Sequence, residues 1–82
     1  MYQFRREDMA LEAARLLAVY ESRPIVVMAR GLMDFFTIGP IDSPVVHEAG
    51  RHMATVYRSG RVDHQWEIEQ RESLRASLAL TP

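Results

Sequence analysis

Residues 52–69, HMATVYRSGRVDHQWEIE, decide how this chain folds. From Val62 onward they alternate, with Val62, His64, Trp66 and Ile68 on one side and Asp63, Gln65, Glu67 and Glu69 on the other. Period two marks a half-buried strand, because successive side chains leave opposite faces of the backbone. Ser59-Gly60 predicts a two-residue hairpin turn in which Gly60 supplies the positive φ. That turn sets Tyr57 against Val62, Thr55 against His64 and Met53 against Trp66 as one inward face. His52, Ala54, Val56, Asp63, Gln65 and Glu67 are then expected to point outward.

Upstream, residues 5–21 read as an amphipathic helix. Arg5, Asp8, Glu12 and Arg15 run down a polar stripe at three- and four-residue steps, and Met9, Ala13, Leu16, Leu17 and Tyr20 gather on the opposite side. Arg5 with Asp8 and Glu12 with Arg15 are candidate i,i+3 ion pairs. Pro24 ends the helix, since it has no amide hydrogen and steers Arg23 away from helical angles. So broad an apolar face calls for a sheet beneath it.

Two short apolar runs follow, 25–28 and 32–38, joined at Arg30-Gly31 and closed by Gly39-Pro40. Their β-branched and aromatic content favours two strands, although Ile25, Ala29, Leu32 and Phe36 also fit a helical face. The run is apolar on both sides, so it is core or a dimer seam. Ser43-Pro44 can open a short helical turn, with proline at its first position. Residues 70–80 are expected to form a C-terminal helix, with a strand as the competing reading. The result is a small two-layer α+β domain spanning 1–82. An antiparallel sheet of about four strands, including the hairpin 52–69, packs against the N-terminal helix in the order α-β-β-loop-β-β-α. An all-α fold is the alternative.

With 82 residues, the chain makes one domain, and one this small buries about 60% of the surface its unfolded chain exposes. It has no cysteine, which excludes disulfides, thiolate metal sites and a cysteine nucleophile. The charged start, MYQFRRED, and the lack of a long apolar run lead us to expect a cytoplasmic protein with no membrane partner. A net charge of −1 argues against broad attraction to nucleic acid. All ten basic residues are arginine, which coding bias in a GC-rich genome explains most simply, although the side chain also suits bidentate contacts at interfaces.

The chemistry-bearing patterns are sparse. HEAGRH at 47–52 resembles the zinc-protease HExxH, but the fourth position after His47 is Arg51 and His52 is one residue too late to share its metal. His52 and His64 are expected on opposite faces of the hairpin, so no metal site is expected there. His64 reads as a half-buried histidine bonded to a carbonyl or hydroxyl such as that of Thr55. As a catalytic base it would need a nucleophile and an orienting acid, and no spacing supplies them. The scattered glycines form no phosphate-binding loop. Ala54-Thr55-Val56-Tyr57-Arg58 is similar to strings in the recognition helix of helix-turn-helix proteins. The match covers five residues, and Ala49-Gly50 lies too close upstream for the turn such a motif needs.

These patterns lead us to expect a non-enzymatic protein, without catalytic residues, cofactor or metal, that acts by binding another protein or protein complex. Small inhibitors and adaptors from phages and other mobile elements, anti-CRISPR proteins among them, share this size class. The expected contact surface is the outer hairpin face, with Arg51, His52, Arg58, Arg61, Asp63 and Glu67, and the loop through Asp42, His47 and Glu48. One alternative is a nucleic-acid-binding regulator using Arg51, Arg58 and Arg61, and a second is a small hydrolase-type enzyme built on His64. A homodimer through Phe35, Phe36 and Ile38 is expected as readily as a monomer.

Overall fold

The computed structural model describes residues 2–47 and 50–80. In chain order these form β1 (Tyr2–Phe4), α1 (Glu7–Glu21), β2 (Ile25–Arg30), β3 (Phe35–Pro40), a 3-10 turn (Pro44–His47), β4 (Arg51–Val56), β5 (Val62–His64) and α2 (Gln65–Leu80). The strands make one antiparallel sheet in the order β1-β3-β2-β4-β5, with α1 lying on one face. The α+β reading therefore holds, and the all-α alternative falls. The sheet has a fifth strand because β1 pairs with the edge of β3, setting Phe4 opposite Phe36.

The centre of the sheet is β2, whose run Ile25-Val26-Val27-Met28-Ala29 is buried on both faces. It turns into β3 through residues 31–34, where the Asp34 N–H donates to the Arg30 carbonyl at 3.1 Å. Gly31 takes φ +63° there and Met33 takes φ +65°. On one face, Ile25, Val27, Ala29, Phe36, Ile38, Ala54 and Val56 form the main core beneath α1. On the other, Val26 and Met28 are covered by Val46 of the 3-10 turn. Gly39 makes that contact possible, since a Cβ there would collide with Val46 Cγ2. Arg30 fastens the turn, with Nε donating to Thr37 Oγ1 at 3.1 Å and a terminal nitrogen donating to the Val46 carbonyl at 3.0 Å. As expected, the turn opens at Pro44, and the segment 25–38 is a hairpin.

The helix α1 turns a different side inward from the one its large residues suggest. Ala10, Ala14 and Ala18 are fully buried, whereas Met9, Leu16 and Tyr20 are exposed. A row of methyl groups lets the helix axis approach the sheet closely, and this packing fills the space without bulky side chains. Leu11, Ala13 and Leu17 seal the margins of that contact. Among the expected pairs, Glu12–Arg15 forms at 3.2 Å, but Asp8 pairs with Arg6 and not with Arg5.

The hairpin formed by β4 and β5 is real but shorter than 52–69, and its register differs by one residue. Val56 faces Val62, Thr55 faces Asp63 and Ala54 faces His64. The loop is Arg58-Ser59-Gly60, with the Gly60 N–H on the Tyr57 carbonyl at 2.9 Å and Gly60 at φ +93°. It is thus a three-residue loop with a left-handed glycine in place of a two-residue turn. A one-residue slip exchanges the two faces of a strand. Val62 and His64 keep the inward side, but on β4 it is Ala54 and Val56 that point inward and Thr55 that points away. A bulge in β4 opposite Val27 and Met28 of β2 takes up Met53 as an extra residue. Met53 therefore also packs on the main core, while His52 joins Thr55 on the far face.

Alternation continues past His64 in sequence but not in structure. The helix α2 begins at Gln65, so Trp66 and Ile68 leave the sheet, and 70–80 is helical and not a strand.

Candidate functional site

Beyond β5 the chain offers its most conspicuous surface. Gln65, Glu67 and Ile68 of the first turn are half-buried against β4 and β5, and residues 69–79 are exposed throughout. With α2 projecting, the molecule reaches 47 Å along its longest axis against 30 and 23 Å along the others. Trp66, Gln70, Leu74 and Leu78 recur at four-residue steps and so share one stripe. Trp66 is 54% exposed, Leu74 63% and Leu78 67%. A shallow cleft of about 320 Å³ runs between Trp66, Glu67, Gln70, Arg71 and Leu74. Sixteen residues is near the lower limit for a helix stable on its own in water.

Where the strand passes into α2, several expected site residues come together. Arg61 holds Asp63 through two hydrogen bonds, of 2.9 Å from Nε and 3.0 Å from a terminal nitrogen. The Arg61 guanidinium also lies 5.3 Å from the centroid of the Tyr57 ring. The hydrogen bond from Arg61 holds the Asp63 carboxyl below the usual aspartate range. The Arg61 charge, a hydrogen bond from Tyr57 and the charge of Arg71 add to this effect. Glu67 approaches Arg71 at 3.9 Å one helical turn on. Tyr57, Arg61, Asp63, Glu67 and Arg71 thus form a polar rim beside the apolar stripe.

The other expected residues lie elsewhere. Arg58 is exposed in the hairpin loop, and Arg51 opens β4 at its opposite end. Seven residues of extended chain span about 20 Å, so Arg51 is not part of one patch with Arg58 and Arg61. His52 is on the far face, its Nε2 within 2.9 Å of Thr55 Oγ1 and 3.1 Å of the Ala54 carbonyl. The hydroxyl of Thr55 accordingly serves His52 and not His64. Asp42 faces Arg23 at 3.3 Å, and His47 Nε2 meets the Ile41 carbonyl at 2.7 Å. Glu48 lies outside the described residues.

Around His64 there is little chemistry. Its ring sits 6.1 Å from that of Trp66, tilted by 35°, and its Nδ1 has no hydrogen-bond partner among the described residues. The nearest strand neighbour is Ala54, which can act as neither nucleophile nor acid. No cluster of His, Asp or Glu among the described residues could hold a metal ion. No helix of the described residues is long and apolar enough to cross a membrane.

A second apolar feature lies at the other edge of the sheet. Phe4, Ala13, Leu16, Leu17, Tyr20 and Ile38 line a groove of about 370 Å³ between α1 and the β1–β3 pair. Of Phe35, Phe36 and Ile38, expected at a dimer seam, Phe36 and Ile38 are buried beneath α1 and Phe35 is half-buried. Comparison with protein-family models, with curated proteins and with solved structures gives no match to this chain.

The sequence reading missed α2 as a presented helix because Trp66 and Ile68 also fit the strand's alternation. The four-residue recurrence of Trp66, Gln70, Leu74 and Leu78 was the signal that could have revealed it.

Proposed function

We propose that this protein is a non-enzymatic binding protein that works by offering α2 to another protein, in the manner of a small inhibitor or adaptor. The observation that supports this reading is the apolar stripe of Trp66, Leu74 and Leu78 on a helix whose residues 69–79 are exposed throughout. An amphipathic helix read through anchors four residues apart is a recurrent way for one protein to occupy a groove in another. Tryptophan is enriched among the anchors that dominate such interfaces. The rim of Arg61, Asp63, Glu67 and Arg71 supplies mixed charge suited to fixing orientation more than affinity. A binding partner would also stabilise α2 by removing its apolar stripe from water.

The nucleic-acid alternative draws less support, because Arg51 stands apart from Arg58 and Arg61 and because Asp63 already pairs with Arg61. The test is affinity purification from the native host with wild type and with Leu74→Glu/Leu78→Glu as baits, each checked by circular dichroism. A protein retained by wild type and lost by the double variant is the expected result. Identical retention by both baits, or recovery of nucleic acid alone with salt-sensitive binding, overturns the proposal.

A further inference from the structure

We infer that the outer flank of α1 is a homodimer seam, where two copies pair α1 against α1 in antiparallel fashion across a two-fold axis between Ala13 and Leu16. This surface is separate from α2, since the groove lies at the β1–β3 edge and α2 at the β5 edge of the sheet.

Three observations carry the inference. The first is spacing: Met9, Ala13, Leu16 and Tyr20 follow intervals of four, three and four, the repeat by which two helices interlock side chains at a shallow angle. The inner alanine row is already used by the sheet, so this stripe is a second apolar seam on the same helix. Leu16 is 67% exposed and Tyr20 86%.

The second is self-complementary size. An antiparallel pair centred between Ala13 and Leu16 sets Ala13 against the second copy's Leu16 and Met9 against its Tyr20. Each Leu16 side chain then enters the space left by an alanine, and the flexible Met9 covers the ring of Tyr20. An isologous interface requires this kind of match, because one patch must complement itself.

The third is area. Met9, Leu16 and Tyr20, with Phe4 and Ala13 at the groove margin, expose roughly 500 Å² of side chain per copy. Covering all of it on both copies removes at most about 1,000 Å² from water, the threshold for a specific interface and the size expected of a weak, concentration-dependent dimer.

The test is sedimentation equilibrium and light scattering of the full chain over a wide concentration range. The variants are Leu16→Glu, Ala13→Leu, Leu16→Ala and the exchange Ala13→Leu/Leu16→Ala, with Leu74→Glu as a control on α2. Circular dichroism melts accompany each variant to establish folding. A chain of 9.4 kDa is expected to run as a dimer of twice that mass. Leu16→Glu should return it to a monomer with an intact melt, and Leu74→Glu should leave it dimeric.

Each single size change should weaken the dimer at least tenfold, and the exchange variant should recover most of the loss. Recovery is specific to Ala13 facing Leu16 and is not expected if another protein covers the groove. A wild type that stays monomeric at every concentration, a dimeric Leu16→Glu, or an exchange variant no better than its single changes overturns the inference. Loss of the dimer in Leu74→Glu alone would place the seam on α2 and overturn it equally.

Discussion

Replacing Ala14 by leucine tests which side of α1 faces the sheet. Ala14 is fully buried, in one cluster with Ile25, Val27, Phe36 and Ile38. Alanine and leucine are both strong helix formers, so the change reports packing and leaves helix propensity almost untouched. Forcing extra methylenes into a packed core costs about 1–3 kcal/mol. That is a large share of the roughly 4–12 kcal/mol available to a domain of this size. At ~4–8 °C per kcal/mol, the melting temperature should fall by about 5–20 °C. The same substitution at the exposed Ala76 of α2 should stay within about 0.5 kcal/mol. Thermal and urea melts of the two variants beside wild type provide the assay. If Ala14→Leu melts within 2 °C of wild type, the alanine row is not the inner face and the packing of α1 described above is wrong.

Gly39→Ala should weaken the cover that the 3-10 turn makes over Val26 and Met28, because the new methyl collides with Val46. A loss of about 1–3 kcal/mol in urea unfolding is expected, and an unchanged midpoint would refute the contact. The Asp63 carboxyl, followed by carbon-detected NMR, should titrate below the usual aspartate range, and in Arg61→Ala its midpoint should move up towards that range. Its folded-state value is depressed, so the Arg61–Asp63 pair supports the fold above the ordinary aspartate range and stops doing so as the pH falls through the lowered value. An Asp63 midpoint unmoved by Arg61→Ala would show that the pair does not persist in solution.

The α+β class was legible from the β-branched and aromatic content of 25–38, although that run also fits a helical face, and from the amphipathic helix that stops short of Pro24. The strand at 62–64 was legible too, since Val62 and His64 do face inward. The inner face of α1 was not, because hydrophobic periodicity weights large side chains. A helix lying tight against a sheet instead selects small ones, as Ala10, Ala14 and Ala18 do. The register of the hairpin was lost through one residue at the loop. A two-residue turn and a three-residue loop with Gly60 in the left-handed region use nearly the same sequence, yet they exchange the roles of Thr55 and Val56. Within the candidate site, Arg61 and Asp63 do lie side by side, but Glu67, expected on the same strand face, belongs to α2. The role of Trp66 was inverted, because alternation and helical spacing both accommodate it and only tertiary packing decides between them.

The emission of Trp66 tests the central claim most directly, because it is the only tryptophan in the chain and its setting separates a presented helix from a buried strand. The Leu16→Glu variant, if it is the monomer, should show emission close to that of solvent-exposed tryptophan. It should be readily quenched by acrylamide and shift little on unfolding in guanidinium. A blue-shifted, quencher-protected emission that moves to the red on unfolding would return Trp66 to the core and remove α2 as the surface this protein presents.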